Sequence, residues 1–285
     1  MSIIKAIFLK LEINDNFMPI LGIDYEKCLN SKNCLKICPR YFSVDNEQDR
    51  VVFEDSNNEC NLCGRCIAAC PSDAIQYEDI GEVLTFEEAQ DPSALIEYDT
   101  LHKFMSAKRS MRAYKNKNIP RNVMEKVLNS MKYAPTGANM RTLECTIISD
   151  KTVIKKLSEA VMDALIAVNH PRYSERAKKA REIGYDTVFY HAPHVLIVHS
   201  TNPNDQMNAT IALTYGMLIA QSLGLGTCWI GLAISVLKAN KELRENLVGV
   251  KGNVWGVIAI GYPAQIFYRV PPRPSLKIKG LDELE

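Results

Sequence analysis

The chain has 285 residues, 47% hydrophobic and 24% charged, with a formal net charge of +1. That length accommodates two domains of ordinary size, and the composition is globular rather than disordered or fibrous. The balanced charge lacks the basic excess of a dedicated nucleic-acid binder, and no apolar run approaches the roughly 18 residues that span a bilayer, so neither nucleic acid nor membrane is an expected partner.

The predicted elements begin with Leu9, Leu11 and Ile13 alternating with Lys10 and Glu12, the period of a short strand within residues 1–17. Charges interrupt this stretch and no small-residue cleavage site follows it. A signal peptide is therefore not expected, and a cytoplasmic location is.

Seven of the nine cysteines lie between Cys28 and Cys70. Thiols this dense, in a chain without a secretory signal, point to metal rather than to disulfides. Cys60-Asn-Leu-Cys63-Gly-Arg-Cys66-Ile-Ala-Ala-Cys70-Pro71 is a complete C-x2-C-x2-C-x3-C-P run. Cys28-Leu-Asn-Ser31-Lys-Asn-Cys34-Leu-Lys-Ile-Cys38-Pro39 keeps its register, with Ser31 in the second ligand place. A four-cysteine zinc site shares the C-x2-C step, but zinc does not call for the doubled run. Residues 23–77 resemble the bacterial two-cluster ferredoxins.

That resemblance implies crossed ligands. Cys38 joins Cys60, Cys63 and Cys66 around one [4Fe–4S] cluster; Cys28, Cys34 and Cys70 hold a second, with Ser31 where a fourth thiolate belongs. Three thiolates suit a [3Fe–4S] cluster, and a Ser31 alkoxide would instead complete a [4Fe–4S] one. Both readings stay open.

Residues 78–99 carry eight acidic residues and no Lys or Arg. An acidic linker is placed at 81–99, after a ferredoxin-like iron–sulfur domain at 1–80 and before a second domain at 100–285. In the second domain, helical periodicity occupies 121–133, 152–169, 204–223 and 235–247, with strand-like runs at 145–149, 195–199 and 254–260. Residues 172–181 read as the solvated face of a basic helix. No GxGxxG turn follows a strand and no GxxxxGK[ST] loop is present, so neither a Rossmann nor a P-loop phosphate site is supported.

Four ordered segments carry binding chemistry instead. Lys108-Arg109-Ser110-Met111-Arg112-Ala113-Tyr114 gathers cations and a hydroxyl, suited to a phosphate dianion and to an anionic ring edge. Tyr133-Ala134-Pro135-Thr136-Gly137-Ala138-Asn139-Met140-Arg141 is a Pro/Gly turn behind a helix. Leu223-Gly-Leu-Gly-Thr-Cys-Trp229-Ile230-Gly231 offers close backbone approach. Its Cys228 reads as a small buried filler rather than a nucleophile, since no His pairs with it. Ile260-Gly-Tyr-Pro263 is followed by Arg269 and Arg273.

Taken together over residues 101–276, these segments resemble the FMN-dependent nitroreductase family, with its R-R-S-x-R-x-[FY], A-P-[ST]-x-x-N-x-Q, G-L-G-x-x-W-I-G and I-G-Y-P motifs. The resemblance implies an α+β fold, a mostly antiparallel sheet flanked by helices, and a homodimer with two FMN sites at its interface. It implies Lys108 and Ser110, with Arg109 alongside, at the phosphate and ribityl chain. Arg112 would face the pyrimidine edge, and Arg273 the phosphate. Pro135, Thr136 and Asn139 would lie against the partner subunit's flavin, and the backbone N–H groups of Ile230 and Gly231 near flavin N5. Arg141 stands where the family has Gln. Pro271 stands where it has a first basic residue, which Arg269 would replace.

No side chain is singled out as a catalytic acid or base. The expected activity is an oxidoreductase passing electrons from the clusters, NAD(P)H or reduced ferredoxin through FMN to a small acceptor such as a nitroaromatic or quinone. The alternative is a redox-sensing or electron-transfer module without an organic substrate.

Overall fold

The computed structural model describes residues 20–78, 81 and 83–281; the strand expected within 1–17 lies outside them. The chain opens with β1 (Ile20–Ile23), α1 (Asn33–Ile37), β2 (Phe42–Asp45), β3 (Arg50–Phe53), α2 (Arg65–Ala69) and β4 (Ile75–Tyr77). β1 pairs antiparallel with β4, and β2 with β3. Ile23, Phe42, Val51, Cys66, Ala74 and Ile75 form a buried cluster here, and Leu62 is buried beside the second cysteine run. Cys28, Cys34, Cys38 and Cys70 pack partly buried against that cluster, so thiols make up much of this small core.

The two halves repeat. α1 and α2 lie 32 residues apart, as do the two cysteine runs. Asn30 (φ 51°) and Lys32 (φ 58°) flank Ser31; Leu62 (φ 54°) and Gly64 (φ 72°) flank Cys63. Left-handed backbone costs a non-glycine residue about 1–2 kcal/mol. Its recurrence at matched positions means that the Ser31 loop keeps the shape of a ligand loop.

α3 (Tyr98–Ser106), α4 (Arg121–Met131), β5 (Glu144–Ile148), α5 (Lys151–Ala167), α6 (Ser174–Glu182), β6 (His194–Ser200), α7 (Gln206–Ser222), β7 (Gly226–Trp229), α8 (Gly231–Ala239) and β8 (Asn253–Gly261) follow. The order β5-β6-β8-β7 makes one antiparallel four-stranded sheet. Both faces are covered, as period 2 requires. Val195 and Ile197 of β6 and Val257 and Ala259 of β8 join one core with residues of α5, α6 and α8. Leu196, Val198, Ile258 and Ile260 join another with residues of α4 and α7. Strands buried on both faces read as unbroken apolar runs, which is how 195–199 and 254–260 stand in the sequence. The α+β architecture is as expected from the motifs.

Two elements differ from the sequence reading. The helix expected at 235–247 begins earlier, with α8, and is broken at Asn240, whose extended backbone and side chain interrupt it before a π-helical turn at Leu243–Leu247: Asn240 Oδ1 accepts from Leu243 N–H at 3.0 Å. A short polar side chain that bonds nearby backbone competes with the helix. The acidic stretch, in turn, runs into helix α3 at Tyr98.

Candidate functional site

The seven clustered cysteines are all free of disulfides. Their electrostatic neighbours divide them into two sets. Cys34 is raised chiefly by burial, with Cys70 and Cys28 as its thiol neighbours. Burial likewise pushes Cys66 up to about 11, with Cys60 and Cys38 nearby, and Cys60 is raised by burial with Cys38 and Cys63 close. These are the crossed sets that the ferredoxin resemblance implies.

One small cleft is lined by Cys28, Ser31, Cys34 and Cys70. Backbone N–H groups already serve these sulfurs: Asn30 N–H donates to Cys28 Sγ at 3.4 Å and Ala74 N–H to Cys70 Sγ at 3.2 Å. Burial pushes Cys70 up, but hydrogen bonds from Ala74 and Ser72 outweigh it and hold the thiol below its usual value. Among the described residues no three His, Cys, Asp or Glu side chains converge tightly enough for a single ion. An iron–sulfur cubane spreads its ligands over separate irons, so the donor set fits a cluster, with Ser31 lining the same cleft as three thiols.

The second centre is built along the outer edge of β7. Ser110 pairs in parallel with Thr227, and Met111 N–H donates to Thr227 O at 2.9 Å. The close approach explains Gly226: a Cβ there would stand 2.7 Å from Met111 Cγ. Tyr114, next along, has its hydroxyl 2.9 Å from Met111 O and 3.2 Å from Ala259 O, and burial drives its pKa well up. The pairing carries Lys108, Arg109 and Arg112 to the β7 edge.

Lys108 is lowered by burial; its neighbours are Cys228, which opposes the shift, and Arg109. Cys228 is held up by burial, against Arg112, a hydrogen bond with Ser110, and Lys108. Three motif residues therefore surround one buried thiol. Among the described residues no carboxylate comes within ion-pairing distance of Lys108, Arg109 or Arg112. Arg109 Nε and Thr227 Oγ1 are buried without a partner. Lys108 Nζ and Arg109 Nη2 each donate to a backbone carbonyl, of Arg109 and Ser106, at 3.0 Å, which leaves their charge uncompensated. Cations without a carboxylate and orphaned polar atoms at one edge fit an anionic, hydrogen-bonding ligand, and FMN is such a ligand.

Ile230 and Gly231 lie where β7 passes into α8. Ile230 N–H already donates to Val257 O at 2.8 Å. Gly231 opens the helix, where a backbone N–H has no intrahelical acceptor, and a Cβ built on it would meet nothing within 4 Å. Of the two N–H groups, Gly231's is the one open to a ligand.

Pro135 and Thr136 follow α4. Thr136 Oγ1 accepts from Arg141 N–H at 3.2 Å, and Gly137 N–H donates to Asn208 Oδ1 at 3.0 Å. Asn139 turns elsewhere: its Nδ2 donates to Asn61 O at 2.9 Å and Leu62 O at 2.8 Å, in the loop between Cys60 and Cys63. Arg273 sits on the exposed segment 264–280, away from the β7 edge residues in any contact described. A cavity of about 790 Å³ between α5, α6 and the loop 184–193 takes only Tyr114 from the motifs, so it is distinct from the cationic edge.

Three participants escaped the sequence reading. Thr227 lay inside the G-L-G-x-x-W-I-G stretch as an unassigned position. Tyr190, left-handed at φ 58°, hydrogen-bonds Arg112 and packs its ring 6.0 Å from that guanidinium. Asp205, fully buried, accepts from Thr142 Oγ1 (2.5 Å), Asn202 Nδ2 (3.1 Å) and Asn208 Nδ2 (2.8 Å). Neither Tyr190 nor Asp205 had a local signal.

Comparison with known proteins bears on both centres. The nitroreductase family model matches residues 105–262, more than half of the chain, and a 4Fe-4S dicluster domain model matches residues 20–71. A protein of Archaeoglobus fulgidus provisionally named NADH dehydrogenase/NAD(P)H nitroreductase is 27% identical over 163 residues, 56% of this chain and 84% of that one. A ferredoxin of Methanothermococcus thermolithotrophicus is 33% identical over 60 residues, 20% of this chain and 95% of its own. A solved nitroreductase with bound FMN from Bacteroides fragilis NCTC 9343 superposes with a TM-score of 0.53 at 25% identity, covering 63% of this chain and 98% of that chain.

Proposed function

The chain belongs to the nitroreductase family, with a 4Fe-4S dicluster domain ahead of the family's own, and from that premise we propose an FMN-dependent oxidoreductase that draws one-electron equivalents from its iron–sulfur domain. The observation that carries the reading is the β7 edge, where Lys108, Arg109 and Arg112 stand together with no carboxylate partner among the described residues. When bound there, FMN supplies both one-electron and hydride chemistry.

The protein's share is position and charge. Lys108, Arg109 and Ser110 would hold the phosphate and ribityl chain. Arg112, steadied by Tyr190, would neutralise negative charge on the reduced ring. The open Gly231 N–H would approach the ring where a side chain could not. Pro135 and Thr136 would close the flavin site of a second copy of the chain, and Arg273 would reach its phosphate only if the exposed tail folds back.

A homodimer is supported by large apolar side chains exposed on 84–105 and 266–281, among them Phe86, Tyr98, Ile266, Tyr268 and Leu276. Low-potential clusters suit a reduced ferredoxin or NAD(P)H as donor and a nitroaromatic or quinone as acceptor. The cluster around Cys28, Cys34 and Cys70 is [3Fe–4S], or [4Fe–4S] with Ser31 as its fourth ligand.

Protein purified without oxygen should show flavin bands over a broad iron–sulfur absorption. Stopped-flow reduction by NADH, NADPH and reduced ferredoxin, each alone, then identifies the donor. A colourless protein from cells supplied with iron and riboflavin would sink the proposal. For cluster type, Ser31→Cys should convert a [3Fe–4S] EPR signal into a [4Fe–4S] one; a spectrum already of [4Fe–4S] form in the wild type favours Ser31 as a ligand.

A further inference from the structure

We infer that the turn 136–141 is the docking platform on which the iron–sulfur domain sits, and that Asn139 is the positioning residue. The set Cys38, Cys60, Cys63 and Cys66 thereby faces the flavin domain, with Cys28, Cys34 and Cys70 as the outer set. The electron-transfer consequence rests on the FMN reading above; the docking itself does not.

Asn139 is the family's flavin-contacting position by resemblance, yet both amide hydrogens are spent within its own chain. They reach Asn61 O and Leu62 O, residues 78 and 77 positions away in sequence. A carboxamide is the one short side chain that divides two N–H donors between adjacent carbonyls; a carboxylate in its place only accepts. Both sides of the contact hold unusual backbone. Ala138 (φ 50°), Asn139 (φ 57°) and Arg141 (φ 49°) meet Leu62 (φ 54°). Such conformations persist where the surroundings over-determine them.

The platform is anchored from below. Gly137 N–H binds Asn208 Oδ1, Asn208 binds Asp205, and Asp205 is buried at the start of α7 while also holding Thr142. The path from the Cys60–Cys63 loop into the flavin domain therefore runs through bonded groups rather than a loose linker. In electron terms, two one-electron transfers with proton uptake from solvent reduce FMN fully; the reductant is a low-potential one-electron carrier, replaced below by dithionite.

The test uses anaerobic holoprotein. Asn139→Asp should speed amide exchange at Leu62, Cys63 and Gly64 roughly tenfold or more, slow dithionite reduction of the flavin by way of the clusters, and be partly rescued by Asn139→Gln. Unchanged protection in Asn139→Asp overturns the inference. So does loss of FMN with protection intact, which would return Asn139 to the flavin.

A second measurement needs no variant. Reduction of the clusters in the wild type should broaden NMR signals of 136–141 more than those of β5, and equal broadening overturns the docking. Absence of FMN from the wild type would defeat the proposed function while leaving both docking readouts interpretable.

Discussion

The two regions of this molecule keep their shape by different means. Residues 20–77 centre on a cluster of six buried side chains, one of them a cysteine, with four more cysteines packed around them. The flavin domain buries both faces of a four-stranded sheet under two extensive apolar cores. A domain of that first size is marginal on apolar burial alone, and metal binding adds directly to its folding free energy. The second has an apolar core independent of its candidate ligand site, which is a feature of one sheet edge. The contrast predicts that the first region depends on its metal for its shape and the second does not depend on its ligand.

The largest effect should come from stripping iron. Anaerobic chelation is expected to abolish exchange protection throughout β2 and β3 while leaving β6 and β8 protected; equal retention in both regions would erase the contrast.

A glycine pair sharpens it within the flavin domain. A Cβ on Gly256 would stand 2.1 Å from Leu213 Cδ1, so Gly256→Ala should cost about 1–3 kcal/mol of overpacking, a Tm loss of roughly 2–12 °C. Gly231→Ala meets open space and should leave Tm unchanged. It should weaken FMN binding, by roughly 5- to 150-fold if the clash with the bound ring costs a similar amount. A titration showing undiminished FMN affinity would remove Gly231 from the site.

The smallest effect is set by pH. Burial holds His194 and His199 of β6 below the ordinary imidazole value. The unfolded chain therefore binds protons that the folded chain refuses. The stability these residues contribute is complete above about pH 6.5 and is lost as pH falls through that value towards their lower folded values. Tm should decline by a few degrees from about pH 7.5 to about pH 5, and less so in the double variant His194→Gln, His199→Gln. Equal slopes would acquit the histidines.

What the sequence made legible follows the same division. The doubled cysteine run was complete in its own spacing, because cluster ligands sit close along the chain. β6 and β8 were visible as apolar runs because both faces are buried. β7 was not, since Gly226-Thr227-Cys228-Trp229 is short and begins with a glycine kept by Met111. The cations of 108–112 were found, but their confinement to one strand edge comes from the Ser110–Thr227 pairing, a contact across more than a hundred residues. Asn139's partners were invisible for the same reason: nothing local distinguishes an amide that binds a flavin from one that binds a distant loop.

The parallel pairing of Ser110 with Thr227 has a further consequence. β7 ends the sheet, and the cationic segment is what covers its otherwise open flank. Whatever loosens that segment bares unpaired amides ready to recruit a neighbouring molecule. A variant unable to make that pairing should therefore associate with copies of itself more readily than the parent chain.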